Sequence, residues 1–287
     1  MPAPANAPAK HPALGYLACA TAGCLWSTGF YFGKVALGAM SVGHMVLYRF
    51  LFGTLTFLPL LRSPGFTARE WRWLLLASLL GVPVQFLMQF HGLALTTVSH
   101  AALMVGSMPV MLALGATIFA HERLSRLGWA ALSVSTMGVA LIVISGAGHR
   151  GAAGGGPSLM GDLLVVASMV VALVYLLVNK RLLRTHSALR VTAWGMVTGT
   201  MMLAAWVLSV DGLPPLRHLS AQVWGALVWS GVLCTATTTL LWNWGMRQVP
   251  ASRAGVFLNI EPALGSALGV WLLGERLGPL TWVGGGM

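Results

Sequence analysis

The chain has 287 residues, of which 57% are hydrophobic and only 8% charged, with a mean hydropathy of +0.79. Folded in water it would expose far too much apolar surface, which excludes a soluble globular protein and places it in a membrane. The net charge of +11 would suggest nucleic acid in a soluble protein; in a membrane chain, basic residues instead report the side on which a loop lies, so no nucleic-acid partner is expected.

Residues 1–12, rich in Pro and Ala, read as a loose cytoplasmic tail. Apolar runs then predict helical spans at 13–33, 42–61, 71–93, 98–120, 127–145, 158–179, 190–210, 221–246 and 250–274, with a tenth starting at 279. A helix needs roughly 20 apolar residues to cross the hydrocarbon core, and these runs are too long and uniform for barrel strands. The tenth run stops at Met287, short of a full crossing, so the natural protein is expected to continue. Residues 148–157, Gly-rich with His149 and Arg150, read as a linker between a first unit, 13–147, and a second, 158–287. Cys19, Cys24 and Cys234 fall inside spans without metal-ligand spacing, so they read as core residues, and no metal or cofactor is expected.

The two units repeat. An offset of 153 carries Gly92 onto Gly245, Ser99 onto Ser252, Pro109 onto Pro262, and Glu122-Arg123-Leu124 onto Glu275-Arg276-Leu277. One offset held across these positions marks a duplicated unit. Lys34 and Lys180 match at 146, so the spacing inside the repeats differs by a few residues. Five spans per unit is an odd number, and the second unit must enter the membrane from the opposite face. Most of the 17 basic residues, among them Arg62, Arg69, Arg72, Arg126, Lys180, Arg181, Arg184, Arg190 and Arg247, fall on one side, which puts both termini in the cytoplasm. The expected fold is an all-α integral membrane protein with ten transmembrane helices in two inverted five-helix repeats. Such repeats build many secondary transporters, with the substrate site between them near mid-membrane.

Two five-helix units, each with a mid-membrane Pro in its fourth helix (Pro109, Pro262) and a Glu at that helix's end (Glu122, Glu275), resemble the drug/metabolite transporter superfamily, specifically its ten-helix EamA-type members. The resemblance covers nearly the whole chain. It implies export or exchange of small metabolites, among them amino acids, across a bacterial cytoplasmic (inner) membrane, and the aromatic-rich helices are most similar to the aromatic amino-acid exporters.

Several residues then become candidates for the substrate pathway. Pro109 and Pro262 lack the N–H that would bond Val105 and Leu258, so each is a hinge candidate or a static kink. Glu261 is costly at mid-membrane and must be paired, protonated or in contact with substrate; proton coupling is therefore open. Arg49 has three readings: it binds a substrate carboxylate, it snorkels to the interface, or it pairs with Glu261. Gln85 and Gln89 share a helix face, and Asn243 lies at the equivalent end of the eighth helix. These amides suit a polar group, while Trp26, Tyr31, Tyr175 and Trp242 suit an apolar body. Met104 and Ser107 on the fourth helix and Asn259 on the ninth complete the pathway candidates. Ordinary interhelical bonding and interfacial anchoring are the structural alternatives for the same residues. His100 reads as interfacial, Glu122 and Glu275 as braces of the following turn, and Asp162 as a helix-end acid without a His at useful spacing.

The expected function is a secondary carrier of small amphipathic metabolites, most plausibly aromatic or neutral amino acids, working by alternating access. A second reading is exchange of phosphorylated metabolites or nucleotide sugars, for which only Arg49 lies deep enough. No Walker-type loop supports ATP-driven transport, and no convergent nucleophile and base supports an enzyme. A scaffold remains possible from sequence, and the oligomeric state is not encoded in any feature found.

Overall fold

The computed structural model describes residues 12–61, 65–108, 111, 126–147, 157–215, 219–249 and 254–287. Pro109, Glu122 and most of the linker lie outside these described residues. The chain runs through α1 (Pro12–Leu37), α2 (Val42–Phe57), α3 (Ala68–Leu95), α4 (Val98–Val105), α5 (Arg126–Ala147), α6 (Leu159–Leu183), α7 (Ala188–Val210), α8 (Ala221–Gln248), α9 (Val256–Leu273) and α10 (Pro279–Gly286). No strand occurs among the described residues. Helices α3, α6, α7, α8 and α9 are long and apolar enough to cross a membrane. The 26-residue α1 is long enough to cross as well, and it buries Gly15, Gly23, Ser27, Gly29 and Gly33 against its neighbours. Large apolar side chains such as Leu17, Met160, Met201 and Trp271 remain exposed on the outside, where lipid would cover them. The chain is an integral membrane protein.

Local sequence sets the helix starts. Ser41, Thr67, Thr97, Ser158, Ser187 and Ser220 each accept a hydrogen bond from the N–H three residues on, a cap that contributes about 0.5–2 kcal/mol. At Thr67 the cap is reciprocal, because Glu70 accepts from the Thr67 N–H. At the other end of α9, Gly274 takes φ 65°, the left-handed turn that stops the helix.

Two helices contain π-helical stretches that sequence periodicity did not reveal, Leu80–Val84 in α3 and Trp229–Thr237 in α8. Under the 153-residue offset, Leu80–Val84 falls on the C-terminal part of Trp229–Thr237. In α9 the irregularity is a 3-10 turn, Gly255–Asn259, ahead of the α-helix Ile260–Leu273. Pro262 therefore sits in the first α-helical turn, where a missing N–H costs little, and not in the middle of a regular helix as the sequence reading had it.

Packing follows the repeat. Helix α1 lies on α8 and α3 on α6, while α2 packs on α7, α4 on α9 and α5 on α10. Exchanging each helix with the one five places on leaves this set of pairs unchanged. Glycines set the closest approaches: a Cβ on Gly92 would fall 2.7 Å from the Gly161 carbonyl oxygen and 2.7 Å from Val165 Cγ2. Its twin Gly245 would place a Cβ 3.0 Å from the Gly15 carbonyl oxygen and 2.6 Å from Cys19 Sγ. Gly15 and Cys19 precede Gly161 and Val165 by the same 146 residues that separate Lys34 from Lys180. Across the α2–α7 contact, Thr54 and Thr200, again 146 apart, share a hydroxyl–hydroxyl bond of 2.7 Å.

The end of the bundle where α1 finishes is closed by a buried polar network. Lys34 Nζ donates to the Leu93 and Thr96 carbonyls at 2.8 and 2.7 Å. Asp162, fully buried, accepts from Thr96 Oγ1 at 2.6 Å and lies 3.0 Å from His100 Nδ1. The Glu275 carboxylate accepts from the Val98 and Ser99 N–H groups at 2.7 and 2.8 Å, capping α4. These contacts correct three expectations: His100 is buried and not interfacial, Asp162 has a His partner from another helix, and Glu275 caps a distant helix instead of bracing its own turn.

Two outcomes are expected in thermal unfolding of the detergent-solubilised protein. Gly92→Val and Gly245→Val should each cost about 1–3 kcal/mol through overpacking, whereas Gly225→Val, with no atom within 4 Å of its Cβ position, should be close to neutral. Asp162→Ala should destabilise by about 1–3 kcal/mol for each buried partner left unsatisfied, a penalty that a surface carboxylate would not carry.

Candidate functional site

A central cavity of about 180 Å³ opens between helices of both halves, lined from α1, α2, α3, α4, α6, α7, α8 and α9. Its walls run from Phe90 and Phe30 down to Asn179, Val191 and Asn243, toward the end of the bundle where α6 finishes and α7 begins. The closing network lies at the opposite end. Of the sequence candidates, Trp26, Arg49, Gln85, Gln89, Tyr175, Trp242, Asn243 and Glu261 line this cavity.

Four others do not line it. Tyr31 packs edge-on to Phe32, which in turn meets Trp229. Met104 is fully buried in the core, and Ser107 is buried with its hydroxyl lacking a partner. Asn259 is exposed and faces a separate groove with Pro262, Ser266 and Trp282. That groove lies among α4, α5, α9 and α10.

Arg49 is the most constrained side chain in the cavity, 4% exposed in the middle of α2. Its Nε donates to Thr235 Oγ1 at 2.6 Å and its Nη2 to the Cys234 carbonyl at 3.2 Å. Both acceptors belong to the π-helical stretch of α8. A π turn displaces carbonyls from their usual helical partners, and Thr235 ties the stretch down by donating to Ser230 C=O at 2.8 Å. Phe86 and Phe90 hold the guanidinium at 5.1 Å from each ring centroid, a distance at which cation–π attraction operates. Snorkelling is excluded by this burial. Arg49 and Glu261 both line the cavity and act on each other through charge, but no ion pair within 4 Å joins them among the described residues.

The repeat explains why there is room for a cation here. In one half the Tyr175 ring packs flat on Gly81, within 2.5–2.8 Å of where a Cβ would be. The twin pair is Gly29 and Cys234, so the half that lacks the tyrosine keeps a gap, and the Arg49 guanidinium lies 3.6–3.7 Å from the Cβ position of Gly29. Arg49 itself has Gly195 as its twin, and Glu261 has Met108; both twins also line the cavity. The frame is symmetric and its charges are not.

The remaining walls are aromatic or carry amides. Trp26 and Trp242 stand with ring centroids 5.4 Å apart. Asn243 Nδ2 donates to Thr192 Oγ1 at 2.7 Å. Gln85 and Gln89, one turn apart on α3, form no hydrogen bond with other described groups, and they flank the two phenylalanines that stack on Arg49. Sequence reasoning missed Phe86, Phe90, Asn179, Thr192 and Thr239 as lining residues. The spacing of Phe86 and Phe90, matched to that of Gln85 and Gln89, was the available signal.

Thr235→Val is expected to destabilise the protein by about 1.5–3 kcal/mol, because it removes an acceptor from a buried guanidinium. Thr237→Val loses only the 2.8 Å bond to Val232 C=O and should cost about 0.5–1.5 kcal/mol; paired thermal melts check the difference.

Comparison with known proteins agrees with this architecture. A sequence profile of the EamA-like transporter family matches residues 13–144 and again 159–287. The chain is 24% identical over 269 residues to an uncharacterized transporter of Archaeoglobus fulgidus, covering 91% of this chain and 90% of that protein. It is 28% identical to a biotin transporter of Escherichia coli K12, covering 86% of this chain and 82% of that one, and 27% identical to a probable biotin transporter of Pseudomonas aeruginosa over 88% and 87%. A solved crystal structure shares the fold at a TM-score of 0.67 with 22% identity, covering 94% of this chain and 92% of its own. The double match over nearly all of its length makes the chain a member of the EamA-like transporter family.

Proposed function

We propose that the protein is a secondary carrier of small amphipathic organic molecules in the bacterial cytoplasmic membrane. It crosses ten times as two inverted five-helix repeats, 13–147 and 158–287, with both termini in the cytoplasm, and works by alternating access around the central cavity. The cavity carries this reading: it lies between the halves and combines unpartnered amides with aromatic walls. One guanidinium with a carboxylate in the same cavity is poorly matched to a multiply charged phosphate, so exchange of phosphorylated metabolites or nucleotide sugars is disfavoured. Relatives named biotin transporters make biotin the first substrate to try, with aromatic and neutral amino acids next.

The repeat also supplies a mechanism for switching sides. Lys34 closes one end by binding the Leu93 and Thr96 carbonyls, while its twin Lys180 is exposed near the opposite end. Adding 153 to those carbonyl positions gives Met246 and Val249. In the opposite state Lys180 takes those carbonyls and Lys34 lets go. The two halves thus trade conformations without changing fold, as inverted repeats allow.

Counterflow in proteoliposomes tests the function: unlabelled biotin, phenylalanine or leucine inside, the labelled compound outside. Protein-dependent exchange of at least one is expected, and absence of exchange for all three would count against a carrier of this class. Lys34→Met and Lys180→Met should each slow that exchange about tenfold, the effect of a 1.4 kcal/mol bias between the two states. A variant pair exchanging at the wild-type rate would remove the lysine trade.

A further inference from the structure

We infer that the cavity binds its substrate through a carboxylate on Arg49, and that the substrate is a monocarboxylate with an uncharged, partly apolar body. This inference rests on the carrier reading above and names the substrate class of the same site. A guanidinium taken out of water needs a counter-charge and hydrogen-bond acceptors for its five N–H donors. The protein supplies acceptors to Nε and Nη2 only, from Thr235 and Cys234, and no carboxylate within 4 Å among the described residues. Nη1 is left to the cavity. Gly29 keeps the space beside Nη1 and Nη2 free of a side chain, and the Phe86 and Phe90 rings fix the plane of the fork. A planar fork held in this way is preorganised for the two oxygens of a carboxylate.

The rest of the ligand follows from the other walls. Gln85 and Gln89 offer unpartnered amides to an uncharged polar group, and Trp26 and Trp242 offer an apolar face. Among the described residues, the other charged side chain lining the cavity is Glu261. It lies in the first turn of the α-helical part of α9, continuous with the 3-10 turn before it, and the cation that acts on it across the cavity is Arg49. Glu261 therefore does not require a cation from the ligand, whereas mid-helix Arg49 does require an anion. A second anionic group on the ligand would meet Glu261 without a cation to balance it.

The test compares ligands that differ in one group. Proteoliposomes containing the full chain are assayed for counterflow with labelled biotin, 3-phenylpropionate and phenylalanine, and 3-phenylpropanamide is added as competitor. Biotin or 3-phenylpropionate should exchange, and the carboxamide should compete at least about tenfold more weakly than 3-phenylpropionate, the factor for losing one charge-assisted contact. Arg49→Lys keeps the charge but not the fork, and should weaken half-saturation for the carboxylate by at least about tenfold. Glu261→Gln removes the resident anion and should tighten half-saturation for the carboxylate. Thermal unfolding of each variant shows that it has folded. A carboxamide that competes as well as the acid, or carboxylate exchange insensitive to Arg49→Lys, overturns the anchor while leaving the carrier reading intact. Phenylalanine preferred over 3-phenylpropionate, with that preference lost in Glu261→Gln, overturns the monocarboxylate class in favour of a zwitterion. No exchange of any labelled compound overturns the carrier reading and this inference with it.

Discussion

The contact on which the rest of the molecule depends is the backbone approach of α3 to α6 at Gly92 and Gly161, together with its twin between α8 and α1 at Gly245 and Gly15. In lipid no hydrophobic force drives one helix onto another, since the surrounding chains are as apolar as the helices; close van der Waals packing must do it. Glycine permits that packing because it has no Cβ. Both contacts join a helix of one half to a helix of the other, so the halves interlock and neither is a free-standing bundle.

A symmetric frame with asymmetric contents has a physical logic for a carrier. If the two halves can exchange conformations, the inward and outward states are built from equivalent contacts and lie close in energy, as a population that must switch requires. The ligand, however, has no such symmetry. Arg49 opposite Gly195, Glu261 opposite Met108, and Gln89 opposite Trp242 give one set of polar groups instead of two half-sets. The same residues that break the repeat in the sequence line the cavity in the structure.

Much of this was legible in the sequence because a polar residue in an apolar run stands out, and because one offset related distant segments. Trp26, Arg49, Gln85, Gln89, Tyr175, Trp242, Asn243 and Glu261 were found for that reason, and all reach the cavity. What failed was rotation about the helix axis. Met104, Ser107 and Asn259 were chosen for the right helices but the wrong face, since periodicity gives a stripe without saying which neighbour it meets. Contacts between helices were also invisible: His100 and Asp162 lie 62 positions apart, and no spacing rule joins them. The π-helical stretches escaped because they change which carbonyls are available while leaving the hydrophobic pattern of the helix intact.

The relation between Arg49 and Glu261 is the most informative of these. Two opposite charges in an apolar interior would ordinarily be assigned to each other, and a structural protein would gain by letting them meet. A binding site cannot, because a ligand would then have to break a resident ion pair before making its own. In this chain the π stretch of α8 resolves the conflict by presenting Thr235 and the Cys234 carbonyl to the guanidinium. These neutral acceptors hold its position without cancelling its charge. Glu261 lines the same cavity without reaching the guanidinium. The two charges thus act on each other only from beyond contact distance, and the cavity keeps an electrostatic interaction at Arg49 for the molecule that enters it.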